Sequence, residues 1–405
     1  MGIKNRAAAM QSAYSALKAL GRDPTSLQFD RIVSPTEALL GNKPIMLFGT
    51  NNYLGLTFDE ACVEATVAAA REHGVGTTGS RIANGTYELH RALEQEIAQF
   101  YDKRATILYS TGFLANLGVI SGLADKGDHL LIDADSHASI YDACKMSDGE
   151  TIRFRHNNPD DLAKRLARFE GTPGDKIIVV EGIYSMLGDS APLAEIAAVK
   201  REAGPNVYLL VDEAHSLGVM GETGRGKCQE AGVEDDCDYI VGTFSKSVGT
   251  TGGFCVSNVE EFEALRAYSR PYMFTASMTP PTVATARAAF QRMAEAPELR
   301  ERLWQNCHRL YAGMAKMGYR LGPEVSPVVA PQLPDPQTAV TLWNMLIDAG
   351  LYTNIAIPPA TPNALSLLRV SVSAGHDDGQ VSAALEIFAE AGKELGLLKP
   401  GNIAA

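Results

Sequence analysis

The chain has 405 residues, 45% of them apolar and 21% charged, and a formal net charge of −12. This is ordinary globular composition for two or three domains, or for one large domain with an appendage. The acidic balance excludes a general nucleic-acid binder, which would show a basic face, and gives no reason to expect tight binding to anionic lipid.

Six cysteines (Cys62, Cys144, Cys228, Cys237, Cys255, Cys307) lack a C-x-x-C spacing and read as free thiols of a reducing compartment. No run approaches the length of an apolar membrane span, and the first residues lack the apolar core of a secretory signal. A cytoplasmic protein is expected.

Residues 1–30 mix Ala, Lys and Arg and predict a peripheral helix, stopped at Asp23-Pro24. Residues 44–48 predict a strand running into the polar loop Gly49-Thr-Asn-Asn-Tyr-Leu-Gly55. Next comes Gly74-Val-Gly76-Thr-Thr-Gly79, formally G-x-G-x-x-G. A dinucleotide site needs a strand before those glycines and a helix opening at them. Here a helical stretch precedes and another loop follows, so the motif counts against itself.

From residue 86 onward helical and strand patterns alternate. A helix is expected over 87–101, and strands over 105–109, 129–133, 176–180, 207–211, 238–241 and 253–257. These short runs are apolar on both faces, the signature of an α/β fold with a mostly parallel central sheet covered by helices. Ligands bind beyond the carboxyl ends of such strands. Polar residues gather at those ends: Ser110, His137, Glu181, Ser185, Asp212, His215 and Lys246.

Gly221-Glu-Thr-Gly-Arg-Gly226-Lys227-Cys228 approximates a P-loop, but cysteine replaces the magnesium-binding hydroxyl. A long helix is expected from Pro281 to about Met317. The expected division is an N-terminal arm over 1–45, a large domain over 46–277 and a smaller C-terminal α/β domain over 278–405.

The stretch Thr243-Phe-Ser-Lys246-Ser-Val-Gly249 places one lysine among hydroxyls at a strand end. A desolvated lysine is the usual Schiff-base carrier, and neighbouring hydroxyls suit a phosphate; the alternative is a snorkelling surface lysine. Pyridoxal phosphate also needs a carboxylate for its ring nitrogen, phosphate donors at a helix start and something flat against the ring. Asp212 suits the first need, with His215 for the ring hydroxyl. Gly112, Phe113, Thr243 and Ser245 suit the phosphate, and His137 the ring face. Asp212 as an N-cap and His137 as a capping histidine are the alternatives. Arg369, in Leu-Leu-Arg-Val-Ser-Val, is either a solvated edge-strand residue or a clamp for a substrate carboxylate. No metal is called for.

Asp212-Glu-Ala-His215 with Gly242-Thr-Phe-Ser-Lys246-Ser resembles the α-oxoamine synthases, pyridoxal enzymes of fold type I. The resemblance extends through Asn52-Tyr-Leu-Gly55, Gly79-Ser-Arg81, Asn84-Gly-Thr86, Ser110-Thr-Gly-Phe113, Asp135-Ser-His-Ala-Ser139 and Glu181-Gly-Ile-Tyr-Ser-Met186. Arg153-Phe-Arg-His-Asn157, Arg270-Pro-Tyr-Met-Phe-Thr-Ala-Ser277 and Pro358-Pro-Ala-Thr-Pro362 resemble the branch that joins L-serine to a long-chain acyl thioester.

The resemblance implies a decarboxylative Claisen condensation of L-serine with an acyl group carried on coenzyme A or a carrier protein. It implies a homodimer with shared sites, Ser185 on the cofactor, and Thr275 of one subunit completing the phosphate site of the other. The alternatives are glycine or alanine with shorter acyl groups, and a non-catalytic partner subunit, which would lack the lysine. Some members carry Arg where this chain has Ile357, which leaves Arg369, His137 and Asn52 as substrate-binding candidates. A peripheral contact with a membrane, for release of a lipid product, stays open.

Overall fold

The apolar runs of the central chain pair into one sheet. A computed structural model describes residues 2–19, 21–358 and 361–398. In it, seven strands lie in the order Ala105–Tyr109, Gly253–Ser257, Tyr239–Thr243, Val207–Asp212, Lys176–Glu181, His129–Asp133 and Glu150–Phe154. Gly253–Ser257 is antiparallel to both neighbours, and every other pairing is parallel. This is the α/β fold with a mostly parallel central sheet that the alternation predicts. Ile178, Val179, Leu209, Leu210 and Ile240 have no exposed surface, because helices cover both faces.

Six of the strands are legible as apolar runs. Glu150–Phe154, one of the two edge strands, escapes notice because its residues are mostly exposed or half-buried. The long C-terminal helix is two, Pro280–Glu295 and Pro297–Met317. Pro297 separates them, since proline cannot donate to the preceding turn but is tolerated in the first turn of a new helix.

The chain forms two compact units. The larger holds 51–185 and 189–302, and the smaller holds 1–50, 186–188 and 303–405. The boundaries differ from the expected 45 and 277. Pro280–Glu295 joins the larger unit because it packs on the helices Glu60–His73 and Glu88–Tyr101. In the smaller unit, Ser366–Ser371 is a buried strand paired with Val328–Val329, Gln332–Leu333 and Asn354–Ala356. Arg369 is therefore an interior residue, 7% exposed, and not a solvated edge position. Ile357 is described as irregular backbone, whereas Pro359 and Ala360 of the Pro-Pro-Ala-Thr-Pro stretch lie outside the described residues. No helix among the described residues is long and apolar enough to cross a membrane. All six cysteines are buried free thiols.

One polar clamp ties the far end of the sheet. His156 follows the edge strand. Its Nδ1 lies 2.8 Å from Asp133 Oδ1 and its Nε2 2.6 Å from Asp189 Oδ2. Asp133 also accepts from the amides of Asp135 and Asn157. Burial alone would lower the His156 pKa, but the two carboxylates override it and hold the imidazolium, pushed up to about 10. Because this value exceeds the ordinary 6.5, the stabilisation is complete below pH 6.5 and is lost as pH rises through about 10. His156→Ala leaves two interior aspartates without their shared cation and is expected to cost ~3 kcal/mol. Chemical denaturation over this range checks it: the gap between wild type and variant should narrow as pH rises, and a constant gap contradicts the clamp.

Candidate active site

Loops leaving the carboxyl ends of the strands enclose a cavity of about 240 Å³ within the larger unit. Its first wall is a helix start. Ala105–Tyr109 runs into Gly112–Leu123, whose N-cap Thr111 accepts from the Leu114 amide at 3.1 Å. The first amides of any helix lack an intrahelical acceptor, so those of Gly112 and Phe113 are available to an anion. A Cβ on Gly112 would meet Thr243 Cβ and Oγ1 at 2.7 Å, so no larger residue fits. Thr243 Oγ1 lies 3.1 Å from the Gly252 carbonyl oxygen and 3.0 Å from Ser245 Oγ. Two hydroxyls and a helix N-terminus thus share one corner.

Lys246 lines the same cavity from the loop after Tyr239–Thr243. Phe244 holds that loop down: it is fully buried, stacked on Phe254 and edge-on to Phe290. The loop closes through the Gly249 amide on the Lys246 carbonyl and the Thr250 amide on that of Phe244, both at 2.9 Å. Gly249 supplies the positive φ, 73°, that the turn requires.

Asp212, 5% exposed, lines the cavity from the end of its strand. Its Oδ2 accepts from Asn116 Nδ2 at 2.7 Å and its Oδ1 from the Ala214 amide at 2.9 Å. Asn116 Nδ2 also reaches Ser139 Oγ at 2.9 Å, and that hydroxyl lies 2.8 Å from His137 Nδ1. A continuous hydrogen-bonded chain thus links Asp212 to His137. His137 caps the helix Ala138–Met146, and it lines the cavity as well. Burial lowers its pKa, with Lys246 acting the same way and Asp212 opposing, which favours the neutral imidazole. His215, three residues past Asp212, also lines the cavity, and its Nδ1 meets the hydroxyl of the fully buried Tyr53 at 2.7 Å.

Thus the cavity gathers Lys246, Asp212, His215, His137, Gly112, Phe113, Thr243 and Ser245. Four other expected residues have their own settings. Thr275 lines a separate small cavity with Arg81 and Tyr272, and its hydroxyl donates to the Pro271 carbonyl. Asn52 Nδ2 donates to Thr57 Oγ1 at 2.8 Å. Ser185 closes the segment after Glu181 without lining the cavity. Arg369 lies in the smaller unit, its Nη1 3.2 Å from Ser371 Oγ. Asn116, Ser139 and Glu181 line the cavity as well; Glu181 is marked in the sequence only as a polar strand end, and Asn116 and Ser139 carry no expected role. Asn116 was findable: it lies one turn past Gly112 on the helix whose start faces the cavity.

A planar, phosphorylated, nitrogen-containing ring fits this donor set. Anion donors share one corner, and a buried carboxylate and an amine line the same cavity. The two glycine motifs fit no nucleotide. Gly74 to Gly79 lies in a loop after the helix Glu60–His73. At the P-loop look-alike, the helix start is filled from within: Glu213 accepts from the amides of Lys227 and Cys228 at 2.8 and 2.7 Å.

The aminotransferase class I and II family model matches residues 43–388. The serine palmitoyltransferase of Caulobacter vibrioides is 55% identical over 400 residues, covering 99% of this chain and 98% of that protein. The serine palmitoyltransferase of Sphingomonas paucimobilis is 48% identical over 378 residues, 93% of this chain and 89% of that one. A solved structure described as SPT with PLP internal aldimine superposes with a TM-score of 0.95 at 45% identity, covering 98% of this chain and 100% of that one.

Asn116→Ala removes a donor from a buried carboxylate, a bond contributing roughly 1.5–3 kcal/mol. Titration of cofactor-stripped protein with pyridoxal phosphate should show affinity reduced roughly tenfold or more. Unchanged affinity would remove Asn116 from the site.

Proposed function

The chain belongs to the aminotransferase class I and II family, and we propose that within it the chain is a serine palmitoyltransferase. It binds pyridoxal 5'-phosphate and condenses L-serine with palmitoyl-CoA, releasing CO2 and free coenzyme A. The product is 3-ketodihydrosphingosine, and the reaction is the first step of sphingolipid synthesis. The observation that carries this reading is the meeting of Lys246 and Asp212 in one cavity, in a chain alike over nearly its full length to serine palmitoyltransferases.

When bound, pyridoxal phosphate supplies a sink for the electron pair left at the amino acid's Cα. Lys246 would hold the cofactor covalently, and its amine, when free, would take the Cα proton as general base. Asp212, held by Asn116 and the Ala214 amide, keeps a proton on the ring nitrogen by its charge. His215, braced by Tyr53, orients the ring hydroxyl. The Gly112 and Phe113 amides with the Thr243 and Ser245 hydroxyls hold the phosphate. His137 covers the ring face as a neutral imidazole, and within the cavity it is the candidate contact for the serine carboxylate.

A homodimer belongs to the same reading. In its own chain the Thr275 hydroxyl turns to Pro271 and does not line the Lys246 cavity, which leaves it for the phosphate site of a second copy. A cytoplasmic location, with the acyl thioester drawn from the soluble pool, completes the proposal.

The test is thiol release by purified protein, with serine, glycine and alanine each against acetyl-, succinyl-, pimeloyl- and palmitoyl-CoA. Serine with palmitoyl-CoA should exceed every other pair. Turnover of glycine with acetyl-CoA and none of serine with palmitoyl-CoA would overturn the assignment. Lys246→Ala should lose the visible absorbance of the lysine-bound cofactor together with turnover, and persistence of that band would displace Lys246 from its role.

A further inference from the structure

Glu181 is the one acidic side chain of the cavity that the proposed chemistry leaves unused. It ends the strand Lys176–Glu181, and in the parallel register it stands directly beside Asp212. Register partners on neighbouring strands point to the same side of a sheet, about 5 Å apart. Both side chains line the cavity, at 3% and 5% exposure. Two carboxylates so placed cannot both be charged without a large penalty.

The hydrogen bonds decide which one carries the charge. Asp212 accepts from two donors, Asn116 Nδ2 and the Ala214 amide, one on each oxygen. Glu181 Oε1 accepts from one, the His137 amide, at 2.5 Å. That bond is also what Glu181 does: the His137 amide precedes the helix Ala138–Met146 and needs an acceptor outside it.

We infer that Glu181 is a neutral carboxylic acid in the folded protein and a positioning residue for His137, so that the negative charge of the pair resides on Asp212. The groups facing Glu181 agree in sum. Complete burial and then the charge of Asp212 raise its pKa well above the usual carboxylate range, and Asp133 adds to this. The His137 amide and Lys246 pull the other way without reversing it. Tyr184 also lies close enough to feel the Glu181 charge, and its own pKa is raised mainly by burial. The charge state of Glu181 follows from the fold alone, whereas its consequence for the cofactor rests on the function proposed above.

The experiment compares the holoenzyme with Glu181→Gln, whose amide reproduces the shape and acceptor of the acid but cannot ionise. The infrared difference spectrum near neutral pH, wild type minus variant, should show the carbonyl band of a protonated carboxyl group. A carboxylate band in its place overturns the inference, whatever the enzyme's substrates prove to be.

Denaturation across pH supplies the second readout. A raised folded-state pKa means that stability, full below the ordinary glutamate range, falls as pH rises toward the folded value. Relative to Glu181→Gln, the wild-type folding equilibrium constant should fall by up to about tenfold per pH unit. A pH-independent difference contradicts the inference, as does failure of Glu181→Gln to fold, since an isosteric amide should replace a neutral acid. Glu181→Gln should retain cofactor within about threefold of wild-type affinity, while Glu181→Ala, which orphans the His137 amide, should lose tenfold or more.

Discussion

A carboxylate at the end of an interior strand, where bulk water does not reach it, is tolerated only if donors or a cation compensate it. Asp212 is that group, and much of the site follows from compensating it. Asn116 is on its helix face to donate to Asp212, and the same amide reaches Ser139, which fixes His137. Beside it, Glu181 is inferred to give up its charge. The remaining demand, for a cation against Asp212, is one that a protonated ring nitrogen meets. In this view the sheet prepares the cofactor site by ending a buried strand on an acid.

The same chemistry is used twice, with opposite outcomes. Helix starts attract anions. At Lys227–Glu230 the anion is the chain's own Glu213, and the glycine-rich loop before it closes on that carboxylate. At Gly112 the corner is lined by the hydroxyls of Thr243 and Ser245, which can themselves bind phosphate. A glycine-rich segment before a helix therefore says little until the acceptor of its amides is known.

Much of this was legible in the sequence. Six of the seven strands read as apolar runs, because burial on both faces leaves no polar alternation, and the polar residues closing them marked the cavity's rim. The edge strand Glu150–Phe154 was not legible, since a half-exposed strand of mixed residues looks like a loop. Nor was the division of the C-terminal helix: helical periodicity continues through Ala296, and only Pro297 marks the break. In the site, Lys246, Asp212, His215 and His137 stood out as costly residues at strand ends. Asn116 and Ser139 did not, because a polar residue within a helix signals nothing until its partners are known. Arg369 showed its singularity but not its setting, which depends on long-range pairing of Ser366–Ser371 that no local pattern encodes.

The central claim is that Asp212 carries the charge that keeps the cofactor's ring nitrogen protonated. Nitrogen NMR of the holoenzyme, loaded with pyridoxal phosphate labelled at the ring nitrogen, tests it most directly. The account predicts the shift of a protonated pyridinium in the wild type, held well above neutral pH, and its loss in Asp212→Asn. A neutral ring nitrogen in the wild type, or an unchanged pyridinium signal in Asp212→Asn, would contradict it.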